Sequence, residues 1–189
     1  MKAVLMSIRP EWCEKIANGK KTIEVRKTRP KLETPFKVYI YCTLPSQSEL
    51  FTHGGIREYA NELIRLQSGE IVYDYGMRLC CDPKNRPYSK DNFLCQTVIG
   101  EFVCDRIITD TTYGHNAVLN ALACLTPADA ASYCVNPEMF GWHISELTIY
   151  DKPKELSDFL VEDNKTFDCP GLMAMKRPPQ SWCYVEGLK

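Results

Sequence analysis

Short apolar runs recur along the chain, and stretches of helical spacing lie between them. Ala3–Ile8 (AVLMSI) is almost wholly apolar and reads as a buried strand. Pro10 stands at a helix N1 position, just after Ser7 and Arg9. PEWCEKIANG then sets Trp12, Ile16 and Ala17 on one helical face, and Gly19 supplies the stop. In GKKTIEVRK the β-branched Thr22, Ile23 and Val25 favour a second strand, with KTRPKLETP as the loop after it. FKVYIYCT alternates Phe36, Val38 and Ile40 with Lys37, Tyr39 and Tyr41, the pattern of a half-buried strand.

Residues 45–92 break this rhythm. They hold PSQSE, HGG, a helical pattern around IREYANELIRLQ, and the polar stretches CCDPKNRP and YSKDN, which together read as an insertion within a single domain. TVIGEFVCDRII (97–108) returns to strand, with Gly100 a candidate bulge. NAVLNALACL is helical. LTPADAASYC is a second helix, with Thr126 as N-cap, Pro127 at N1 and Asp129 in the first turn. GWHISELTIYD is strand-like, DKPKELSDF turns into a short helical segment, and SWCYVE is a terminal strand. Strands outnumber helices and most links between them are not helical, which excludes a doubly wound fold. The pattern predicts an α+β protein: a small mixed or antiparallel sheet of about five or six strands, curled toward a β-barrel with helices packed on it.

At 189 residues the chain is large enough for a real core. No apolar run reaches membrane-helix length, and MKAVLMSIRPEW lacks the long apolar stretch and small-residue cleavage site of a signal peptide, so the expected location is cytoplasmic. The ten cysteines are then expected as reduced thiols, several of them in apolar runs such as YIYCT and EFVCD. None forms a CxxC pair, and adjacent Cys80–Cys81 with His53 and Cys95 lacks zinc spacing; no metal or cofactor is expected. Net charge is −1, but residues 1–38 carry ten Lys/Arg against four Asp/Glu, and the remainder is acidic. Such a chain lacks the large positive field of a protein that coats long nucleic acid. It offers a local basic patch suited to a short or small anionic ligand.

That patch centres on GKKTIEVRK. A period of two sets Lys21, Ile23 and Val25 on one side and Thr22, Glu24 and Arg26 on the other. Lys21, in line with two apolar residues at the rim of the core, is a candidate base or nucleophile. Glu24 and Arg26 reach one surface, where a carboxylate can accept from base amino groups and a guanidinium can bind phosphate or carbonyl oxygen. The plainer alternative is a solvated charged strand with a weak ion pair.

Strand, helix and GKKTIEVRK in this order resemble the N-terminal signature of the ASCH domain family, a branch of the PUA-like fold, with Gly19, Lys21, Thr22, Glu24 and Arg26 at the matching positions. GWHISELTIYDKPKELSDF and RPPQSWCYVE are similar to the closing segments of small bacterial and prophage-type ASCH proteins. The resemblance implies a PUA-like β-barrel with a cleft, and a role linked to RNA, a nucleotide or a modified nucleoside. One branch is similar to an amidohydrolase that deacetylates N4-acetylcytidine. There the lysine matching Lys21 is catalytic, helped by a threonine at the position of Glu24 and by a downstream glutamate, for which Asp129 and Glu138 are candidates by region.

Two functions follow as expectations. One is a binder, with Glu24 reading a base, Arg26 and Lys20 taking phosphate, and Trp142 or Tyr41 stacking on the ring. The other is an amidohydrolase using Lys21 and Glu24. Ser7 and Arg9 lie where the first strand meets a helix N-terminus, a place suited to anions. Thr22 lies within the motif, and Gln180 follows a stiff Pro pair that can aim it at a base edge. Trp182 reads better as a residue that locks the terminal strand, and His143 as a hydrogen-bonded structural residue rather than a general acid or base. A third expectation is a protein partner docked through 45–92.

Overall fold

The computed structural model describes residues 1–44, 63–73, 75, 79, 94–134, 138–163 and 171–188. Its strands are β1 (Lys2–Ile8), β2 (Ile23–Arg26), β3 (Phe36–Cys42), β4 (Ile64–Arg65), β5 (Ile71–Val72), β6 (Val98–Cys104), β7 (Ile107–Asp110), β8 (Met139–His143), β9 (Ser145–Lys154), β10 (Leu160–Asp163), β11 (Gly171–Ala174) and β12 (Trp182–Glu186). Its helices are α1 (Pro10–Ala17), α2 (Ala117–Leu122) and α3 (Pro127–Tyr133), with a 3-10 turn at Leu156–Asp158.

The main sheet has the order β12-β1-β3-β6-β9. β1 runs parallel to β3, and the other neighbours are antiparallel. A second sheet has the order β2-β8-β7, and β4–β5 and β10–β11 are two-stranded ribbons. The class is α+β, as expected. The hydrogen-bonded ladders end at β12 and β9 in one sheet and at β2 and β7 in the other. Among the described residues the strands therefore form two open sheets, and their ladders do not by themselves close the small barrel toward which the sheet was expected to curl.

Both faces of the main sheet are buried. Val4, Met6, Ile8, Val38 and Ile40 pack with Cys13 and Ile16 of α1 and with Trp142 of β8. On the opposite face Ala3, Leu5, Tyr39 and Tyr41 pack with Tyr150, Phe159 and Met175. The alternation in FKVYIYCT thus separates two cores, not core from solvent. The cover on the second face comes from the 157–175 region, where β10 and β11 escaped the sequence pattern. Phe159 lies edge-on to Tyr39, with ring centroids 4.8 Å apart.

Local signals explain the helices. α1 has Pro at its first turn, and Gly19 beyond its end takes φ +78°, open to glycine at no steric cost. α3 starts with a capping box between Thr126 and Asp129. Asn116 caps α2 by accepting from Leu119 N. α2 lies against the small sheet because Gly141 has no side chain there. A Cβ at that point would come within 2.6 Å of Leu119 Cδ1 and 2.9 Å of Ile23 Cγ2.

Two boundaries differ from expectation. The run 97–108 breaks at Asp105–Arg106, so β6 joins the large sheet and β7 the small one; at Gly100 the register slips as a bulge requires. The helical pattern over IREYANELIRLQ ends in strand at Ile64–Arg65, and its earlier part lies outside the described residues. No described helix is long and apolar enough to cross a membrane.

Candidate functional site

β2 is an edge strand of the small sheet, yet its charged side chains are buried. Lys21 is 3% exposed and Glu24 5%. Glu24 stands between two cations: Lys21 Nζ is 3.3 Å from Oε2, and Arg26 Nη2 is 3.0 Å from Oε1. Lys21 and Glu24 are therefore neighbours, not residues of opposite faces. The alternation does not reach Lys21 because the strand begins only at Ile23. Upstream of it, the Lys21 backbone N–H donates to Lys15 O at 2.8 Å, on the last turn of α1.

Each cation is anchored by backbone from a distant element. Lys21 Nζ donates to Ala123 O at 2.7 Å, a carbonyl left open at the C-terminal end of α2. Arg26 Nη2 donates to Ser7 O at 2.8 Å, tying β2 to β1. Two aromatic residues that the sequence did not single out for the site also touch the cluster. Lys21 Nζ lies 4.9 Å from the ring centre of Trp12. The Tyr133 hydroxyl donates to Val25 O at 3.4 Å and hydrogen-bonds Arg26; burial pushes it above the usual phenol range, and the charge of Arg26 pulls it back. Neither contact had a sequence signal, since both depend on α1 and α3 folding back on β2.

The cluster counts two formal positive charges against one negative. Burying three charges is costly unless each is paired. Here the pairing is incomplete: Glu24 Oε2, Arg26 Nε and Trp142 Nε1 are buried with no hydrogen-bond partner among the described residues. Lys21 touches Oε2 as a charge, out of line for a hydrogen bond. Trp142 is directly opposite Glu24 in the β2–β8 ladder, so the two share a face. The arrangement can hold a polar group that accepts from nitrogen and donates to a carboxylate, or present an amine beside a carboxylate.

The other expected residues divide into those brought here and those kept apart. Ser7 is buried, and its Oγ donates to Pro179 O at 2.6 Å while its N–H donates to Ser181 O at 2.9 Å. That clasp brings the loop of Gln180, itself exposed, to β1 beside the Ser7 carbonyl that accepts from Arg26. Arg9 and Lys20 are exposed, and Thr22 is half-buried beside Lys21. Tyr41 lies on the far face of the main sheet, away from the cluster. Trp142 is wholly buried against Phe36 and Trp182, at 5.6 and 5.8 Å between ring centres, so its faces are occupied by the core. Trp182 Nε1 donates to Thr28 Oγ1 at 3.0 Å, locking the terminal strand.

Asp129 is used in the α3 capping box and Glu138 is exposed, so neither joins the cluster. His143 Nδ1 lies 2.6 Å from Asp105 Oδ1, a hydrogen-bonded histidine. Among the described residues no group of three or more His, Cys, Asp or Glu side chains is placed to hold a metal; Cys95 is buried, and His53, Cys80 and Cys81 lie outside the described residues.

The ASCH domain family model matches residues 6–51, which hold the end of β1 together with α1, β2 and β3. No curated protein matches the sequence. Among solved structures, an ASCH protein from Zymomonas mobilis aligns over 97% of this chain and 87% of its own, with TM-score 0.55 and 15% identity. Two single-residue variants from Zymomonas mobilis align alike: a Ser-to-Ala protein over 97% of this chain and 88% of its own, and a Tyr-to-Phe protein over 98% and 91%, with TM-scores 0.54 and 0.53 at 15% identity. At that identity these structures speak for the fold alone, while the family model covers the motif segment that carries Lys21, Glu24 and Arg26. The motif match at the N-terminus and the shared fold along the chain agree: residues 6–51 match the ASCH domain family, and the fold is similar to that of solved ASCH proteins.

Proposed function

We propose that this protein binds RNA, a nucleotide or a modified nucleoside at the Lys21–Glu24–Arg26 cluster. The observation that carries the reading is the buried carboxylate between two cations, with Glu24 Oε2 and Arg26 Nε unpartnered beside it. A nucleobase edge offers a donor next to an acceptor and complements that pair. The surplus positive charge suits a phosphate-bearing ligand, and the family resemblance points the same way. The test is fluorescence anisotropy of labelled short oligoribonucleotides, with unlabelled nucleotides as competitors. Glu24→Gln is expected to weaken binding by about ten-fold or more, the loss of one charge-assisted hydrogen bond. Equal affinity in wild type and variant would sink the reading.

A second reading rests on the contacts of Lys21: a buried amine held 2.7 Å from a carbonyl and 3.3 Å from a carboxylate. Such an amine can act in amide hydrolysis of an N4-acylated cytidine. Water adds to the acyl carbon, the bond to N4 breaks, the freed amine takes up a proton, and the acid leaves. Incubation with N4-acetylcytidine beside Lys21→Ala tests it. Product that vanishes in the variant supports the hydrolase, and no product from folded wild type removes it.

A further inference from the structure

We infer that Trp12 is the base-stacking residue of this site and that Lys15 meets a phosphate of the same ligand, a nucleoside monophosphate or the end of an RNA. The inference rests on the binding reading above and gives its ligand a position. The cluster has polar partners for a base edge but needs a surface for the ring face. Trp142 is enclosed by Phe36 and Trp182, and Tyr41 faces the other core. Trp12 packs against the main core, is only partly buried, and carries the cluster's own Lys21 ammonium 4.9 Å from its ring centre.

The ring also holds Lys15 Nζ at 4.3 Å, three residues further along α1. An indole that gathers two ammoniums concentrates positive charge around an aromatic face. Arg9 and Lys20, near the two ends of α1, are both exposed, and each has interactions of its own. The acidic residues of the helix, Glu11 and Glu14, have interactions of their own. A purely apolar ligand would forfeit this charge, and a simple anion would leave the ring unused. A phosphorylated nucleobase uses both, with its base on Trp12, its edge toward Glu24 and Arg26, and its phosphate beside Lys15.

The experiment is a calorimetric titration with the four ribonucleoside 5′-monophosphates and the four matching nucleosides. Wild type, Trp12→Ala, Trp12→Phe, Lys15→Gln and Glu24→Gln are compared, each first checked for a native thermal melt. Trp12→Ala is expected to weaken the tightest monophosphate by about ten-fold or more, with Trp12→Phe recovering part of it. Lys15→Gln is expected to weaken the monophosphate and leave the nucleoside unchanged. Unchanged affinity in Trp12→Ala, while Glu24→Gln loses binding, overturns the stacking role and leaves the site standing. Equal losses for nucleoside and monophosphate in Lys15→Gln overturn the phosphate assignment. No binding of any probe to wild type overturns the binding reading, and this inference falls with it.

Discussion

The Arg26 guanidinium donates to the Ser7 carbonyl at 2.8 Å while holding Glu24 at 3.0 Å, so one side chain joins the small sheet to β1 of the large one. Arg26→Ala would strip Glu24 of one of its two cations and leave a buried carbonyl unpaired. Such losses cost about 3–5 kcal/mol. Arg26→Lys should recover only part, because a single ammonium does not reproduce the spread of a guanidinium. Urea denaturation of the two variants checks both statements; an Arg26→Ala protein as stable as wild type would show that the two sheets do not depend on this link.

Gly141 faces Leu119 and Ile23 at distances no Cβ tolerates. Gly141→Ala forces the buried Leu119 and Ile23 side chains to shift and disturbs the packing of α2 on β2 and β8, at about 1–3 kcal/mol. Because the end of α2 supplies Ala123 O to Lys21, ligand affinity should fall along with the melting temperature. A stable variant with unchanged affinity would mean that α2 does not position the ammonium.

Burial pushes the Cys104 thiol up to about 12 and the Cys183 thiol up to about 11. At pH 8 the thiolate fraction at Cys104 is then about 10⁻⁴. Iodoacetamide should label neither residue in the native protein and both in urea. Peptide mass spectrometry reads the result, and fast native labelling of Cys104 would contradict the packing around β6.

The bond to His143 holds the Asp105 carboxyl below its usual range. A depressed acid adds stability that is present above its unfolded value near pH 4 and is lost as pH falls through the folded value. Asp105 is largely exposed, so solvent keeps the effect modest. The stability gap between wild type and Asp105→Asn should be steady around pH 5 and close below pH 4. A gap that stays constant down to pH 2 would remove the pair from acid unfolding.

Local chemistry carried much of the fold. Pro10, Gly19 and the Thr126–Asp129 box mark helix ends by interactions within a few residues, and those ends stand where their sequence puts them. In 19–27 the charged residue types, read with the family resemblance, also pointed to the residues that cluster, while the period of two set Lys21 on the wrong face. What stayed hidden depends on long-range packing. Tyr41 read as outward-facing because nothing local announces that β10, β11 and Phe159 cover its face. Trp12 and Tyr133 stand 9 residues before Lys21 and 107 after Arg26, and they meet the cluster only after α1 and α3 have packed. Strand count alone does not say where a ladder stops, and the ladders among the described residues do not by themselves close a barrel. Asp105–Arg106 divides one apolar run between two sheets.

The opposition of Glu24 and Trp142 across β2 and β8 has a consequence for how such a site can change. A strand shifted by one residue turns every side chain to the other face. Here that shift would turn Glu24 into the apolar packing of Ile23, Val25 and Leu119, set Val25 in its place, and lose the pairing of position 24 with Trp142 at the same step. The buried carboxylate and the hydrophobic interior therefore share one reading frame. Evolution or design can exchange the side chain at position 24 for another chemistry, but a sliding strand would unmake the site and the core together.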